Sequence, residues 1–287
     1  MVCIVDRWTD PYLVAAFSGW GDASSVATTT AAFLIQKRDT RREIEFDPEE
    51  FFVLTETRPW VRVGSDGDRR IQWPSLALMV ASGGARDALV LLGPEPQLRW
   101  RSFAQRVATA WREKGGAAPV ILIGAFLASV PHTGPVFLTG FATTPELRAR
   151  LEALGVQLSG YEGPTSIHSA IADEMARQDI PCLSVWAAIP HYTGAMPNPK
   201  ACAAILRVIS DVIELELDLA ELDDAAIAFE KQVTRAIAKS DQKSSSASEA
   251  SAAPDDQASA RPIEPLPPAE DVVRGVEEFF RRNRPSE

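Results

Sequence analysis

The chain has 287 residues, 46% hydrophobic and 24% charged, which is enough apolar material for one large domain with appendages. A net charge of −10 and a pI near 5.0 argue against nucleic acid as a partner, because that calls for a basic field. No apolar run is long enough to span a membrane, Met1–Asp6 lacks the basic start and apolar stretch of a secretory signal, and Cys3, Cys182 and Cys202 show no C-x-x-C spacing, so the sequence reads as a cytoplasmic protein with reduced thiols.

In chain order, Leu13–Phe17 reads as a buried strand that enters the turn Ser18-Gly19-Trp20-Gly21-Asp22. A helix is expected over Ala23–Gln36, with Asp22 placed to accept from an orphan N–H of its first turn. Arg42–Phe46 reads as a second strand, followed by a short helical start at Asp47-Pro48-Glu49-Glu50. Thr57–Val63 and Arg69–Trp73 flank Gly64-Ser65-Asp66-Gly67-Asp68, which marks a hairpin outside the parallel core. Leu76–Ala81 and Ala88–Leu92 are further strands, and the second enters Gly93-Pro94-Glu95-Pro96. Phe103, Val107, Ala110, Trp111 and Lys114 recur at helical spacing, and Gly115-Gly116 ends that helix.

Pro119–Ile123 is a strand expected to turn at Gly124, ahead of Val130-Pro131-His132-Thr133. Val136–Gly140 is the next strand. Thr144 and Pro145 open a helix that runs to Leu154. Another helix covers Ser166–Arg177. Pro181–Ile189 is the last core strand and leads into Pro190-His191-Tyr192 and Asn198-Pro199-Lys200. Two helices follow, Lys200–Glu216 and Leu219–Lys239, the second striped by Leu222, Ala226, Phe229, Val233 and Ile237. Ser240–Pro268 is rich in Ser, Ala, Asp and Pro and is expected to be disordered. Ala269–Arg282 reads as an amphipathic helix with Val272, Val273, Val276, Phe279 and Phe280 on one face.

Strands alternating with helices imply an α/β fold. The expected form is a three-layer sandwich with a mostly parallel central sheet, an antiparallel hairpin appendage and a C-terminal helical extension. The domains are then residues 1–199 (core), 200–239 (helical extension), 240–268 (linker) and 269–287 (terminal helix). In such a sheet the turns after strand C-termini share one rim, where ligands bind. The pattern therefore gathers Gly19, Trp20, Asp22, Glu95, His132, Tyr161, Glu162, His191 and Asn198 as a candidate rim pocket.

No G-x-S-x-G elbow or ordered Ser, His and Asp set points to a nucleophile, although Ser18 ends a strand beside Gly19. The histidines lie far apart and no metal motif occurs, so neither a metal nor another cofactor is expected. His132 and His191 both follow Pro at strand ends and are the pair the rim could bring together. The Gly19–Asp22 turn opens a helix, but it is neither a Walker loop nor a dinucleotide fingerprint, and Asp22 would itself occupy the anion position. Asp22, Glu95 and Glu162 each sit in a Gly/Pro turn. They suit acid–base work, or each braces its own turn by accepting backbone N–H bonds; bracing is the simpler reading.

Taken in order, Gly19-Trp20-Gly21-Asp22-Ala23, Leu92-Gly93-Pro94-Glu95-Pro96 with Arg99-Trp100, Val130-Pro131-His132-Thr133, Tyr161-Glu162-Gly163-Pro164-Thr165 and Trp186-Ala187-Ala188 through Pro190-His191-Tyr192 to Asn198-Pro199-Lys200 resemble the family of the second proteasome assembly chaperone, in its actinobacterial-type branch. The resemblance covers about residues 5 to 235. It implies a phosphorylase/hydrolase-like α/β fold, a homo-oligomer, and binding to proteasome α subunits without established catalysis. Family chaperones that dock on the α ring end in a hydrophobic residue, Tyr and any residue, whereas this chain ends Arg284-Pro285-Ser286-Glu287. The Val272, Val276, Phe279 and Phe280 face then offers another route to a partner or a neighbouring subunit.

The leading expectation is a non-catalytic homo-oligomeric binding or assembly protein, with itself and proteasome subunits as partners. The alternative is a small-molecule hydrolase, ligase or phosphorylase-like enzyme that uses the polar rim. A weaker third reading is a nucleotide-binding regulator built on the Gly19–Asp22 turn.

Overall fold

The computed structural model describes residues 8–247 apart from residues 37, 66, 115 and 195. Cys3, most of the expected linker and the expected terminal helix lie outside the described residues.

The strands are β1 (Tyr12–Ser18), β2 (Asp39–Phe46), β3 (Trp60–Val63), β4 (Arg69–Gln72), β5 (Leu76–Ser82), β6 (Ala88–Pro94), β7 (Val120–Ala128), β8 (Leu138–Ala142), β9 (Gln157–Leu158) and β10 (Cys182–Pro190). The helices are α1 (Val26–Ile35), α2 (Pro48–Phe51), α3 (Trp100–Glu113), α4 (Pro145–Ala153), α5 (Ile167–Arg177), α6 (Pro199–Ile213) and α7 (Ala220–Ala247). Eight strands form one sheet in the order β2-β5-β6-β1-β7-β10-β8-β9, and β3-β4 is a separate two-stranded sheet. The central strands β6, β1, β7 and β10 run parallel. On the flanks β2 runs antiparallel to β5, β5 to β6 and β8 to β10, while β9 pairs in parallel with β8.

Every residue of β1 is buried, as a strand covered on both faces must be. Tyr12, Val14 and Ala16 enter the core under α1 and α6, with Val26, Ala31, Ile205 and Ile209. Leu13, Ala15 and Phe17 enter the opposite core under α3 and α5, with Phe103, Val107, Ile171 and Met175. This is the expected three-layer α/β sandwich. α7 packs along α6 and buries Leu222, Ala225, Phe229 and Val233, while Ile227 and Ile237 stay exposed.

Because β1, β6, β7 and β10 are parallel, their C-terminal residues Ser18, Pro94, Ala128 and Pro190 share one rim. β2 ends and β5 begins at the same rim, since Phe46 pairs with Leu76 and Ala77 with Leu92. The β3–β4 hairpin therefore rises from the rim. Its base is held by the Phe51 carbonyl, which accepts from the N–H groups of Gln97 and Leu98 at 2.9 and 3.1 Å.

Three expectations are corrected, and one strand is added. β7 does not turn at Gly124 but continues to Ala128. The first helix does not start at Ala23: Ser24 and Ser25 adopt left-handed backbone (φ 56° and 54°) in a short 3-10 turn, and α1 begins at Val26. β9, a two-residue strand, has no counterpart in the sequence reading. α7 passes the expected end at Lys239 and enters the stretch read as linker.

Candidate functional site

The Gly19–Asp22 turn leaves β1 through Gly19, whose φ of 130° suits glycine. The N–H of Ala125 donates to the Gly21 carbonyl at 2.8 Å and ties the turn to β7. Ser25, at the N-cap position of α1, makes no side-chain cap bond. Asp22 does that work from three residues earlier. Its Oδ1 accepts from the N–H groups of Ala27 (2.7 Å) and Thr28 (3.2 Å), and its Oδ2 accepts from Thr28 Oγ1 at 2.7 Å. The two left-handed serines fold the chain so that the carboxylate reaches the second and third helical N–H groups. Burial raises the Asp22 carboxyl to about 7, although all three hydrogen bonds favour its charged form.

Glu95 plays the same part on the other sheet face. Its N–H donates to the Ser18 carbonyl at 2.9 Å. Its Oε1 accepts from Ile167 N–H, the first residue of α5, at 2.8 Å. Ser166, the local N-cap residue, gives α5 no cap bond. Burial moves the Glu95 carboxyl up, and the Ile167 hydrogen bond partly opposes this. The two rim carboxylates thus diverge, Asp22 to α1 and Glu95 to α5, and each braces a helix start. We expect Glu95→Ala to cost about 1–2 kcal/mol through loss of this cap. Glu95→Gln, which keeps the acceptor, should lose clearly less in a thermal melt; equal losses would show that the bond to Ile167 contributes nothing.

Beneath the rim lies a buried group that the sequence reading passed over. His168 is 2% exposed; its Nε2 lies 2.9 Å from the Ile123 carbonyl and its Nδ1 2.9 Å from Ser166 Oγ. A carbonyl only accepts, so Nε2 carries the proton and Nδ1 accepts from the Ser166 hydroxyl. Burial lowers the His168 pKa to about 4, which keeps the ring neutral. Phe17 meets it edge-on at 5.6 Å and Trp186 at 4.9 Å between centroids. The Trp186 indole donates to Ser184 Oγ at 2.8 Å and lies over two glycines. A methyl at Gly21 would stand 2.8 Å from its Cη2, and one at Gly124 would overlap its Cδ2 outright. The available signal was Gly124 itself: a glycine inside a strand marks close approach by another group.

His132 is half-buried and His191 exposed, and both meet Tyr192, in different ways. His132 Nδ1 lies 3.0 Å from the Tyr192 hydroxyl and Nε2 2.9 Å from Thr234 Oγ1 on α7. His191 meets only the Tyr192 ring edge, at 5.3 Å between centroids. Lys200 Nζ donates to the His132 carbonyl (3.0 Å) and to Glu230 Oε2 (2.6 Å). Together these bonds latch α7 to the rim beside a cavity of about 90 Å³ bordered by His132, Asn198, Lys200 and Phe229. Asn198 caps α6 by accepting from Ala201 N–H at 3.0 Å. Tyr161 is exposed and closes its own turn, its hydroxyl donating to the Pro164 carbonyl at 3.0 Å. Glu162 is exposed on the same turn. Among the described residues, no group of three His, Cys, Asp or Glu side chains is placed to hold a metal ion.

The rim's outer surface is apolar. Trp20 (66% exposed), Leu98, Leu127, Phe137 and Tyr192 lie open there, and Trp60, Val61, Val63, Ile71 and Trp73 lie open on the hairpin above it. Of the exposed large apolar side chains among the described residues, only Tyr161, on the loop leading to α5, and Ile227 and Ile237, on α7, lie elsewhere. Most of the large exposed apolar side chains thus gather at one edge of the sheet. No described helix is long and apolar enough to cross a membrane.

A model of the PAC2 family matches residues 16–237. The chain belongs to the PAC2 family. Among solved structures, a PAC2 family protein from Streptomyces avermitilis is similar at 34% identity and TM-score 0.70, the match covering 79% of this chain and 95% of that one. A proteasome-assembly chaperone homologue from Mycobacterium tuberculosis is similar at 35% identity and TM-score 0.72, with the same shares covered. PbaB of Pyrococcus furiosus, an archaeal proteasome activator, shares the fold at 16% identity and TM-score 0.61 over 82% of this chain and 97% of that one. No curated protein matches the chain. The resemblance carried by the five motifs is thus a family membership, and in this PAC2 protein Gly19–Asp22 and Glu95 build the rim from within.

Proposed function

We propose that this PAC2 protein is a non-catalytic assembly protein of the cytoplasm that associates with itself and presents its rim to proteasome subunits. The observation that carries the reading is the division of labour at the rim. Asp22, Glu95 and Asn198 face inward onto helix N-termini, while Trp20, Leu98, Leu127 and Phe137 face outward. Membership of the PAC2 family and similarity to a proteasome-assembly chaperone homologue support the choice of partner. The face formed by Val272, Val276, Phe279 and Phe280 is a second contact in this reading, tethered to α7 by a stretch long enough to reach a neighbour.

The test is binding of the full chain to purified proteasome α subunits, read by native mass spectrometry. Trp20→Ala/Leu127→Ala should weaken the complex about tenfold or more and leave the melting temperature in place. Phe279→Ala/Phe280→Ala should weaken it independently. Undiminished binding by the rim variant would remove the rim from the reading.

A further inference from the structure

The β3–β4 hairpin is exposed along nearly its whole length. β3 pairs with β4 through Trp60–Gln72, Val61–Ile71, Arg62–Arg70 and Val63–Arg69, and the pair joins no other strand. Alternation puts Val61, Val63, Arg69, Ile71 and Trp73 on one face, and Trp60, Arg62, Arg70 and Gln72 on the other. Both faces are open, with Val63 67% exposed. A solitary two-stranded hairpin is marginal in water, and its outer edges present unpaired backbone groups. So apolar an arm calls for a cover.

Charge says what the cover is. Residues 58–73 carry Arg58, Arg62, Arg69 and Arg70 against Asp66 and Asp68, a net +2, which leaves −12 on the rest of the chain. The complement is concentrated. Residues 211–230, the end of α6 and the start of α7, hold eight carboxylates and no Lys or Arg. Within them Ile227 is an exposed apolar side chain. Arg207, Lys200 and Arg150 reach in from outside to Asp223, Glu230 and Glu214, which still leaves a strong acidic excess.

The arm and the α6–α7 junction of one molecule stand far apart. The arm rises from the rim, where β5 begins. β5 runs seven residues to the opposite edge, about 20 Å away. There Arg86, in the turn after β5, donates to the Ile213 carbonyl at the end of α6. The basic arm and the carboxylates around the α6–α7 junction therefore lie at opposite ends of the strands, and α7 returns from there toward the rim, where Glu230 meets Lys200. Pairing arm with arm would set the arginines against one another.

We propose that the arm of one copy docks on the α6–α7 corner of the next, so that copies join head to tail, with Val61, Val63, Ile71 and Trp73 near Ile227 and the arginines among the carboxylates. This rests on the self-association proposed above and specifies its surface. A heterologous contact of this kind closes into a ring or grows into a filament.

The test uses the full chain, with native mass and light scattering across a concentration series. Arg62→Glu/Arg69→Glu should shift association to at least about tenfold higher concentration, and Glu216→Lys/Asp224→Lys should do the same. Combining the four changes should restore it. Thermal melts of each variant at a concentration where it is monomeric separate misfolding from lost contact, since all four sites are exposed or nearly so. Association that neither reversal alters would overturn the arm–corner contact and leave self-association standing. Weakening by both reversals without recovery in the combination would overturn the pairing of these two surfaces. A wild-type chain that stays monomeric throughout would overturn both readings.

Discussion

Gly124→Ala should lower the melting temperature by about 6–12 °C, corresponding to about 3 kcal/mol in a domain of this size. The added methyl would overlap the six-membered ring of Trp186, and the half-buried indole is held in place by its contacts. Its N–H is held by Ser184 Oγ at 2.8 Å, Gly21 backs its far edge, and His168 packs on it at a tilt of 58°. His168 is in turn pinned by Ile123 and Ser166. The strain must therefore move β7 or β10, which pair along their whole length from Val120–Cys182 to Ala128–Pro190. Trp186→Leu in the same chain should recover much of the loss, because the smaller side chain vacates the space. The double-mutant cycle should show a favourable coupling of about 1–2 kcal/mol. A Gly124→Ala protein that melts with the wild type would mean that the indole does not rest on this strand.

Between about pH 4 and pH 7 two buried groups should pull stability in opposite directions. Asp22 has a folded pKa raised from 3.8 to about 7. The folded state then binds its proton more tightly than the unfolded state, and the stability this group supplies is full below pH 3.8 and lost as pH rises through about 7. His168 has a folded pKa lowered from 6.5 to about 4. Its contribution is full above pH 6.5 and lost as pH falls toward about 4. Each effect is on the order of 3–4 kcal/mol at its full extent, so in the wild type they largely cancel and the stability curve is flat across the window. Asp22→Asn should keep an acceptor for Ala27 N–H while removing the titration, and should expose the acid loss due to His168. His168→Gln should expose the opposite slope. Denaturant unfolding of both variants at intervals from pH 4 to 7.5 checks this. Parallel curves for the two variants would rule out opposed titrations.

The core strands were legible because strands buried on both faces appear as unbroken apolar runs, as in Leu13–Phe17 and Leu89–Leu92. The hairpin was legible from its turn residues. Asp22 was correctly read as a helix brace, but its reach to Ala27 and Thr28 depends on the left-handed Ser24 and Ser25, a conformation that serine does not announce. The Glu95–Ile167 cap joins residues 72 apart, and no local pattern encodes such a partner. The same distance hid His168, whose partners Ile123, Phe17 and Trp186 come from three different strands. Gly124 was misread because glycine marks both turns and close approaches, and only the position of Trp186 on the next strand decides between them.

The place of β1 in the sheet bears on how the chain is made. β1 precedes both its neighbours in the chain, since it lies between β6 and β7, whose last residues are Pro94 and Ala128. At about 5–20 residues per second, its apolar side chains wait on the order of 4–20 s for their first neighbour and longer for the second. An apolar strand with two unmatched edges is a target for aggregation during that interval. A protein of this topology thus has a need of protection on the ribosome until β6 and β7 have emerged to cover both edges of β1.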